Sequence, residues 1–319
     1  DDDSDAGGGG DSEDAGGGDI SGSIQVSGSS TVEPITSLAA EAFQTENEGV
    51  DIAVDGPGTG DGFELFCGGQ TDISDASRTI DEDEAAACEA AGIEYVELQV
   101  AYDGMAVMTS ADNDAVECLS FADLYALIGP EAEGFSNWSD GQAIATELGS
   151  TTQLPDEELV LTGPGTESGT YDSFIEIALA DIAEARGQDP ETTRTDYASS
   201  ADDNTIISNI EASPTSLGWV GFAFAESAGD GVREIPILEE PGDCAEAVEP
   251  TPDTISDGSY PLARPLFIYV NTANVADNAA LGPFVDFYLE NLTEFVEEGG
   301  YVTMPEDQVE ATTQAWGEM

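Results

Sequence analysis

Two apolar runs far apart in the chain constrain its fold more than any other feature. Glu94–Thr109 contains VELQVAYDGMAVMT, and Pro265–Asn271 reads PLFIYVN. Strands usually run about 3–10 residues, so the first run is too long for one ordinary strand. It reads as a chain crossing from one unit to another, and the second run is the natural return. Around them, strand and helix signals alternate. Short strands are expected at Ser23–Val26, Val50–Val54, Asp72–Asp75 and Leu159–Thr162. Glu33–Thr45 has helical spacing, with Ile35, Leu38, Ala39, Ala42 and Phe43 on one face. Further helices are expected at Phe63–Cys67, Asp81–Ala91, Ser120–Ile128, Thr170–Ala185, Asn204–Ile210, Ala280–Leu289 and Pro305–Trp316, and Trp219–Ala225 reads as strand or helix. This βαβ rhythm predicts an α/β fold of two lobes joined by two hinge strands. The expected boundaries are 20–101 plus 262–319 for lobe 1 and 102–261 for lobe 2. A small ligand would sit in the cleft between them.

Three strand-to-helix junctions share one design. They are Gly28-Ser29-Ser30-Thr31 before Glu33, Gly56 to Gly62 before Phe63, and Gly163 to Thr170 before Tyr171. A helix start leaves backbone N–H groups unpaired and carries partial positive charge. Small residues let an anion approach those amides, and hydroxyls add donors. One such start is ordinarily only a cap; three in one chain point towards oxyanion binding. A fourth element, Ser74-Asp75-Ala76-Ser77-Arg78, adds the one arginine close in sequence to these loops. Arg78 suits an oxyanion, though a surface pairing with neighbouring acids is the ordinary alternative. Asp75 repels a fully ionised oxyanion but accepts a hydrogen bond from one that keeps a proton. Monohydrogen phosphate has such a proton near neutrality; sulfate does not.

Charge removes most other functions. The chain carries 68 acidic residues and five basic ones, for a net of −63, and has no histidine. All five basic residues are arginines: Arg78, Arg186, Arg194, Arg233 and Arg264. Without histidine there is no Ser-His-Asp triad and no His-based metal site. Without lysine there is no P-loop or Schiff base. No basic patch exists for nucleic acid. At about 1 M salt the Debye length is only ~3 Å, which screens the self-repulsion. Acids spread through the whole chain therefore point to an extreme halophile rather than to an acidic interaction tail.

The cysteines, Cys67, Cys88, Cys118 and Cys244, form no CxxC pair. Three disulfide pairings are possible, and four free thiols are the alternative. Cys67–Cys88 with Cys118–Cys244 is the favoured pairing: the first closes a short loop, the second ties distant parts of one lobe. Residues 1–19 contain only Asp, Glu, Ser, Ala and Gly and read as a disordered acidic tether. No stretch is long and apolar enough to cross a bilayer. A lipid anchor upstream of Asp1 would give such a tether its purpose.

At this point the residues resemble a known family. GSSTVEPI, GTGDGFELFCGGQTDISDASR, ACEAAGIEYVELQVAYDGMAVM, GPGTESGTYDSF and YPLARPLFIYVN stand in the order found in the PstS family, the substrate-binding proteins of the high-affinity phosphate ABC transporter. GYVTMPEDQV near the C-terminus fits as well. The resemblance implies a two-lobe, type II periplasmic-binding-protein-like fold closing on one dehydrated phosphate. Carried over by motif, it implies phosphate ligands at Ser30, Thr31, Thr59, Asp75, Ser168, Gly169 and Thr170. It departs at Pro164, where the best-known members place an arginine. Arg78 would supply the cation instead, as an alternative branch of the family implies. Asp61 stands where small neutral residues are usual, and Asn204 is a further donor or simply a cap.

The expectation is a non-enzymatic, monomeric, extracellular receptor without metal or cofactor, with inorganic phosphate as ligand and transporter permease subunits as partner. Nucleic acid is no partner. The rivals are a receptor for another tetrahedral oxyanion, such as sulfate or molybdate, and a phosphate-ester hydrolase using carboxylate-bound metal.

Overall fold

The computed structural model describes residues 20–166 and 168–319. The expected tether, 1–19, lies outside the described residues. The strands are β1 (Ser21–Gly28), β2 (Gly49–Asp55), β3 (Ile73–Ala76), β4 (Tyr95–Ser110), β5 (Leu119–Ser120), β6 (Val160–Gly163), β7 (Ala198–Ser199), β8 (Ser216–Gly221), β9 (Val232–Glu234), β10 (Ile237–Leu238) and β11 (Ala263–Asn271). The helices that matter here are α1 (Glu33–Glu46), α2 (Thr59–Cys67), α3 (Glu82–Ala91), α4 (Phe121–Ile128), α5 (Gln142–Glu147), α6 (Gly169–Phe174), α7 (Ala180–Ala185) and α8 (Asp203–Glu211).

The long apolar run is one continuous strand, and it belongs to two groups of strands. Its first part, Tyr95–Gly104, pairs antiparallel with β11, which in turn pairs with β3, beside the parallel β1 and β2. Its second part pairs with β8 through Met105–Met108 and with β9 through Met108–Ser110, and parallel β6 and β7 extend β8. The strand order is β2-β1-β3-β11-β4-β8-β6-β7. From Val100 onward every residue of β4 is buried. A strand covered on both faces reads as a near-continuous apolar run, which is why the sequence shows no alternation there. β11 ends the return crossing, and in its register Arg264 faces Asp103 directly.

Helices cover the sheets by their apolar stripes. α1 buries Ile35, Ala39, Ala40 and Phe43, while Leu38 and Ala42 pack at its margin. α3 begins with a capping box, Asp81 with Glu84, and α4 with another, Ser120 with Asp123. Each satisfies two backbone donors that a helix start would otherwise leave open. The long helix expected over Thr170–Ala185 is present as α6, a π-helical stretch at Ile175–Leu179, and α7. The segment expected as strand or helix at Trp219–Ala225 is both: β8 runs to Gly221, and a short helix covers Phe222–Glu226.

Both favoured disulfides are present, Cys67–Cys88 joining α2 to α3 and Cys118–Cys244 joining segments 126 residues apart. On the chain-entropy model the stabilisation grows with the loop closed, to about 3 kcal/mol for the short loop and about 5 kcal/mol for the long one. Replacing Cys118 and Cys244 by serine is therefore expected to lower unfolding free energy more than replacing Cys67 and Cys88. Denaturant titration at molar salt measures this; an equal loss, or a larger one for the short loop, would contradict the loop-size argument.

Candidate functional site

The first helix start is shaped by a glycine. β1 ends at Gly28, whose φ is +153°, and a Cβ there would fall 2.0 Å from the Asp75 carbonyl oxygen. Only glycine lets β1 run this close to β3. Beyond it, Ser29 donates its N–H to the Asp75 carbonyl at 2.8 Å, and Glu33 donates back to the Ser29 carbonyl at 3.0 Å. This tight turn presents Ser30 and Thr31 at the head of α1.

The second start lies alongside. Gly58 donates its N–H to the Gly28 carbonyl at 2.8 Å, and Gly62 is the first residue of α2 whose N–H returns to the Gly58 carbonyl, at 2.9 Å. The N–H groups of Thr59, Gly60 and Asp61 therefore precede the first turn's closure, the position where helix amides lack intrahelical acceptors. α2 begins at Thr59, four residues before the expected Phe63. Gly62 is a packing residue, since a Cβ on it would run into Gly28 Cα, whereas a Cβ on Gly60 would meet open space. The Thr59 hydroxyl is 3.0 Å from the Ser77 hydroxyl and accepts the Ser77 N–H at 3.2 Å.

These two starts enclose a cavity of about 270 Å³. Ser29, Ser30, Thr31, Gly58, Thr59 and Gly60 form one side; Ser77, Arg78 and Glu176 complete it. Larger hollows of about 360 and about 530 Å³ occur near Phe222 and beside the Cys118–Cys244 disulfide, but none of the three glycine-bearing starts borders them.

The third start faces the first. Ser168 caps α6, its hydroxyl accepting the Thr170 N–H at 3.2 Å. A Cβ on Gly169 would lie 3.7 Å from the Ser30 carbonyl oxygen. Thr31 and Ser173 hydroxyls are 3.2 Å apart, and Ser30 donates weakly to Asp172 at 3.5 Å. Ser168, Gly169 and Thr170 thus stand against the Ser30–Thr31 turn without lining the cavity themselves.

Asp75 lies on β3, fully buried. One carboxyl oxygen accepts the Thr36 hydroxyl at 3.0 Å; the other is buried with no hydrogen-bond partner among the described residues. Burial pushes its pKa up to about 8, with the nearby Glu33 adding to the rise and the Thr36 hydroxyl opposing it. Its side chain does not line the cavity, but Ser77, two residues on, does. An orphaned buried carboxyl oxygen is rare and costly, and it marks the floor beneath the Ser29 turn as chemically unusual.

Arg78 borders the cavity, yet its guanidinium makes a bidentate pair with Glu84, both contacts at 2.7 Å, and lies over the Phe63 ring. Asp61 and Asn204 are exposed, and neither lines the cavity. Read along the chain, Arg78 alone stands near the three loops; in the fold a second arginine reaches them. Arg264 extends from β11 to donate to the Ser173 hydroxyl at 2.9 Å and the Thr31 hydroxyl at 3.3 Å. It also pairs with Glu176 at 2.7 Å and lies 3.6 Å from Asp103. Burial raises the Asp103 pKa, while the Arg264 guanidinium pulls it down. The available signal was that Arg264 is one of five cations and opens the return crossing. Ser29 and Ser77, which belong to the polar segments of the sequence but not to the expected ligands, also border the cavity, as does Glu176, for which the sequence carries no signal.

A family model described as a PBP superfamily domain matches residues 13–291. The chain is 36% identical over 287 residues to SphX of Synechocystis sp., covering 89% of this chain and 79% of that protein. It is 33% identical to the phosphate-binding protein PstS of Staphylococcus epidermidis, covering 90% of this chain and 80% of that one. Its fold matches the crystal structure of a possible phosphate binding protein from Planctomyces limnophilus with TM-score 0.82 and 35% identity, over 94% of this chain and 99% of that one. The architecture is thus the two-lobe, type II binding-protein fold, and the chain belongs to the PBP superfamily, in the family of the SphX and PstS proteins.

Proposed function

We propose that this chain is a non-enzymatic receptor that binds inorganic phosphate between its lobes and delivers it to the permease subunits of an ABC transporter. The observation that carries this reading is the convergence of hydroxyls and helix-start amides on one small cavity, in a chain whose relatives carry phosphate-binding names. Such donors satisfy an oxyanion without formal charge. Ser30, Thr31 and Thr59 would contribute from lobe 1, with Asp75 beneath them and Arg78 at the rim. Ser168, Gly169 and Thr170 would close on the ligand from lobe 2. Lobe 1 is taken as 20–101 plus 262–319, and lobe 2 as 102–261. The β4 and β11 crossings would then be the hinge.

The two disulfides favour an oxidising compartment, so we place the protein outside the cytoplasm, held at the membrane by a lipid anchor through the acidic tether. The net charge of −63 favours a halophilic setting. The receptor is taken to act as a monomer, without metal or cofactor.

Asp75 supplies the selectivity. Below about pH 8 it is protonated and offers a donor, which sulfate can accept. Above that pH it is an acceptor only, and only an oxyanion with a remaining proton meets it. The sign follows: preference for phosphate over sulfate is expected to widen as pH rises from about 7 to about 9. An unsatisfied buried pair costs about 1–3 kcal/mol, so the change should reach roughly tenfold or more. Asp75→Asn should weaken phosphate binding and flatten the pH dependence. Calorimetry at molar salt with phosphate, arsenate and sulfate measures both. A wild-type preference that does not move with pH would overturn the Asp75 role. Equal binding of sulfate throughout would move the reading to another tetrahedral oxyanion, and turnover of a chromogenic phosphate ester would overturn the non-enzymatic assignment.

The charge also predicts a salt requirement. The thermal midpoint is expected to fall as sodium chloride is lowered from about 2 M to about 0.1 M, because screening of like charges is lost. A midpoint independent of salt would contradict the halophilic reading.

A further inference from the structure

We propose that Arg264 is the cationic ligand of the phosphate site and that Glu176 is a tethered carboxylate that holds the anion's place until phosphate arrives. The inference rests on the phosphate reading above and deepens it by naming the cation and its internal competitor.

Arg264 is nearly buried, with its side chain 11% exposed, and such a charge must be compensated at all times. Two acids lie within ion-pair range of it, and Asp172 is near enough to feel its charge. Asp103 is its cross-strand neighbour, buried on β4 and unable to leave. Glu176 is different: its side chain is half exposed, and it reaches Arg264 Nη1 at 2.7 Å while bordering the cavity. Its only ion pair among the described residues is this one. The remaining Arg264 contacts are to Thr31 and Ser173, one hydroxyl from each side of the cleft. Those hydroxyls stand where the Ser30–Thr31 turn meets the α6 helix start.

The geometry therefore puts a carboxylate at the cavity's edge, on a guanidinium that stands behind the lining and bonds Thr31, which lines the cavity, and Ser173 across from it. A carboxylate and a phosphate oxygen are interchangeable partners for arginine. An arriving phosphate can take the Glu176 position on Nη1, and the long, half-exposed glutamate side chain can turn to solvent. Charge balance at Arg264 is kept before and after. If Glu176 stayed, it would oppose a second anion in the same cavity. Its location on the π-helical stretch Ile175–Leu179 is consistent with a functional position, since such stretches cluster at sites of function.

The test is phosphate affinity by calorimetry in molar sodium chloride. Glu176→Gln removes the competing charge and keeps the shape, so the Kd is expected to fall about tenfold. Glu184→Gln removes the same charge from an exposed position on α7 and is expected to change Kd less than about twofold. Arg264→Lys is expected to weaken binding about tenfold or more, and Glu176→Gln in that background should give back little. A Glu176→Gln affinity equal to or weaker than wild type overturns the proposal. So does an equal gain from Glu184→Gln, or a full gain that persists without Arg264. If the Arg264 variant does not fold, the two glutamate variants decide alone. Wild-type protein that takes up no phosphate would bring down the phosphate reading and this inference together; wild-type binding with an unresponsive Glu176 would bring down only this inference.

Discussion

The pairing of β4 with β11 is the constraint on which the rest depends. One uninterrupted strand serves two groups of strands, so its middle must be buried on every side. The chain meets that demand with apolar residues from Val100 to Met108, interrupted at Asp103 and Gly104. At that interruption β4 passes from β11 to β8, and Arg264 stands opposite Asp103. The parallel strands β1, β3 and β6 deliver their carboxyl ends towards the same seam. In open α/β sheets that is where ligands bind, because helix starts follow those strand ends. The Ser29–Thr31 turn, Ser77 and the Ser168 cap all arise in this way.

Much of this was legible in the residues. A run too long for an ordinary strand reads as a crossing, and it is a single strand, Tyr95–Ser110, that joins two groups of strands; the return run was equally plain. The favoured cysteine pairing, one of three possible, is the one present, and the polar helix starts could be read from Gly, Ser and Thr. What escaped the sequence was set by packing. α2 begins at Thr59 because Gly62 fits against Gly28, a contact between residues 34 positions apart that propensity cannot express. Gly62, which reads as loop, is in the fold the point at which the helix rests against β1. Trp219–Ala225 carried both signals because the chain changes from strand to helix after Gly221. Arg264 escaped for the same reason as α2. Its distance along the chain from Thr31 is large, and only the antiparallel return of β11 brings them within 3.3 Å.

A chain with so few cations has to manage anions by other means. Hydroxyls and amides line most of the cavity. Arg78 is engaged by Glu84, and Arg264 by Asp103 and Glu176. Neither guanidinium stands open in the described structure. Asp75 follows the same logic behind the cavity wall, beneath the Ser29 turn, where burial raises its pKa to about 8. On the proposed reading, charge would be moved by protons and by replacement of one carboxylate with another anion, rather than by a standing excess of positive charge.

The acidic rim of the cavity has a kinetic consequence. Glu176 borders it and Asp61 is exposed next to Gly60, within a molecule of net charge −63. The field of the whole protein repels the anion it captures. Receptors with a basic mouth collect anions fastest in dilute buffer, since electrostatic steering is strongest there. On the proposed reading the order would be reversed: encounter would quicken as salt screens the repulsion, so the salt that screens the fold's own charge would also open the way to the site.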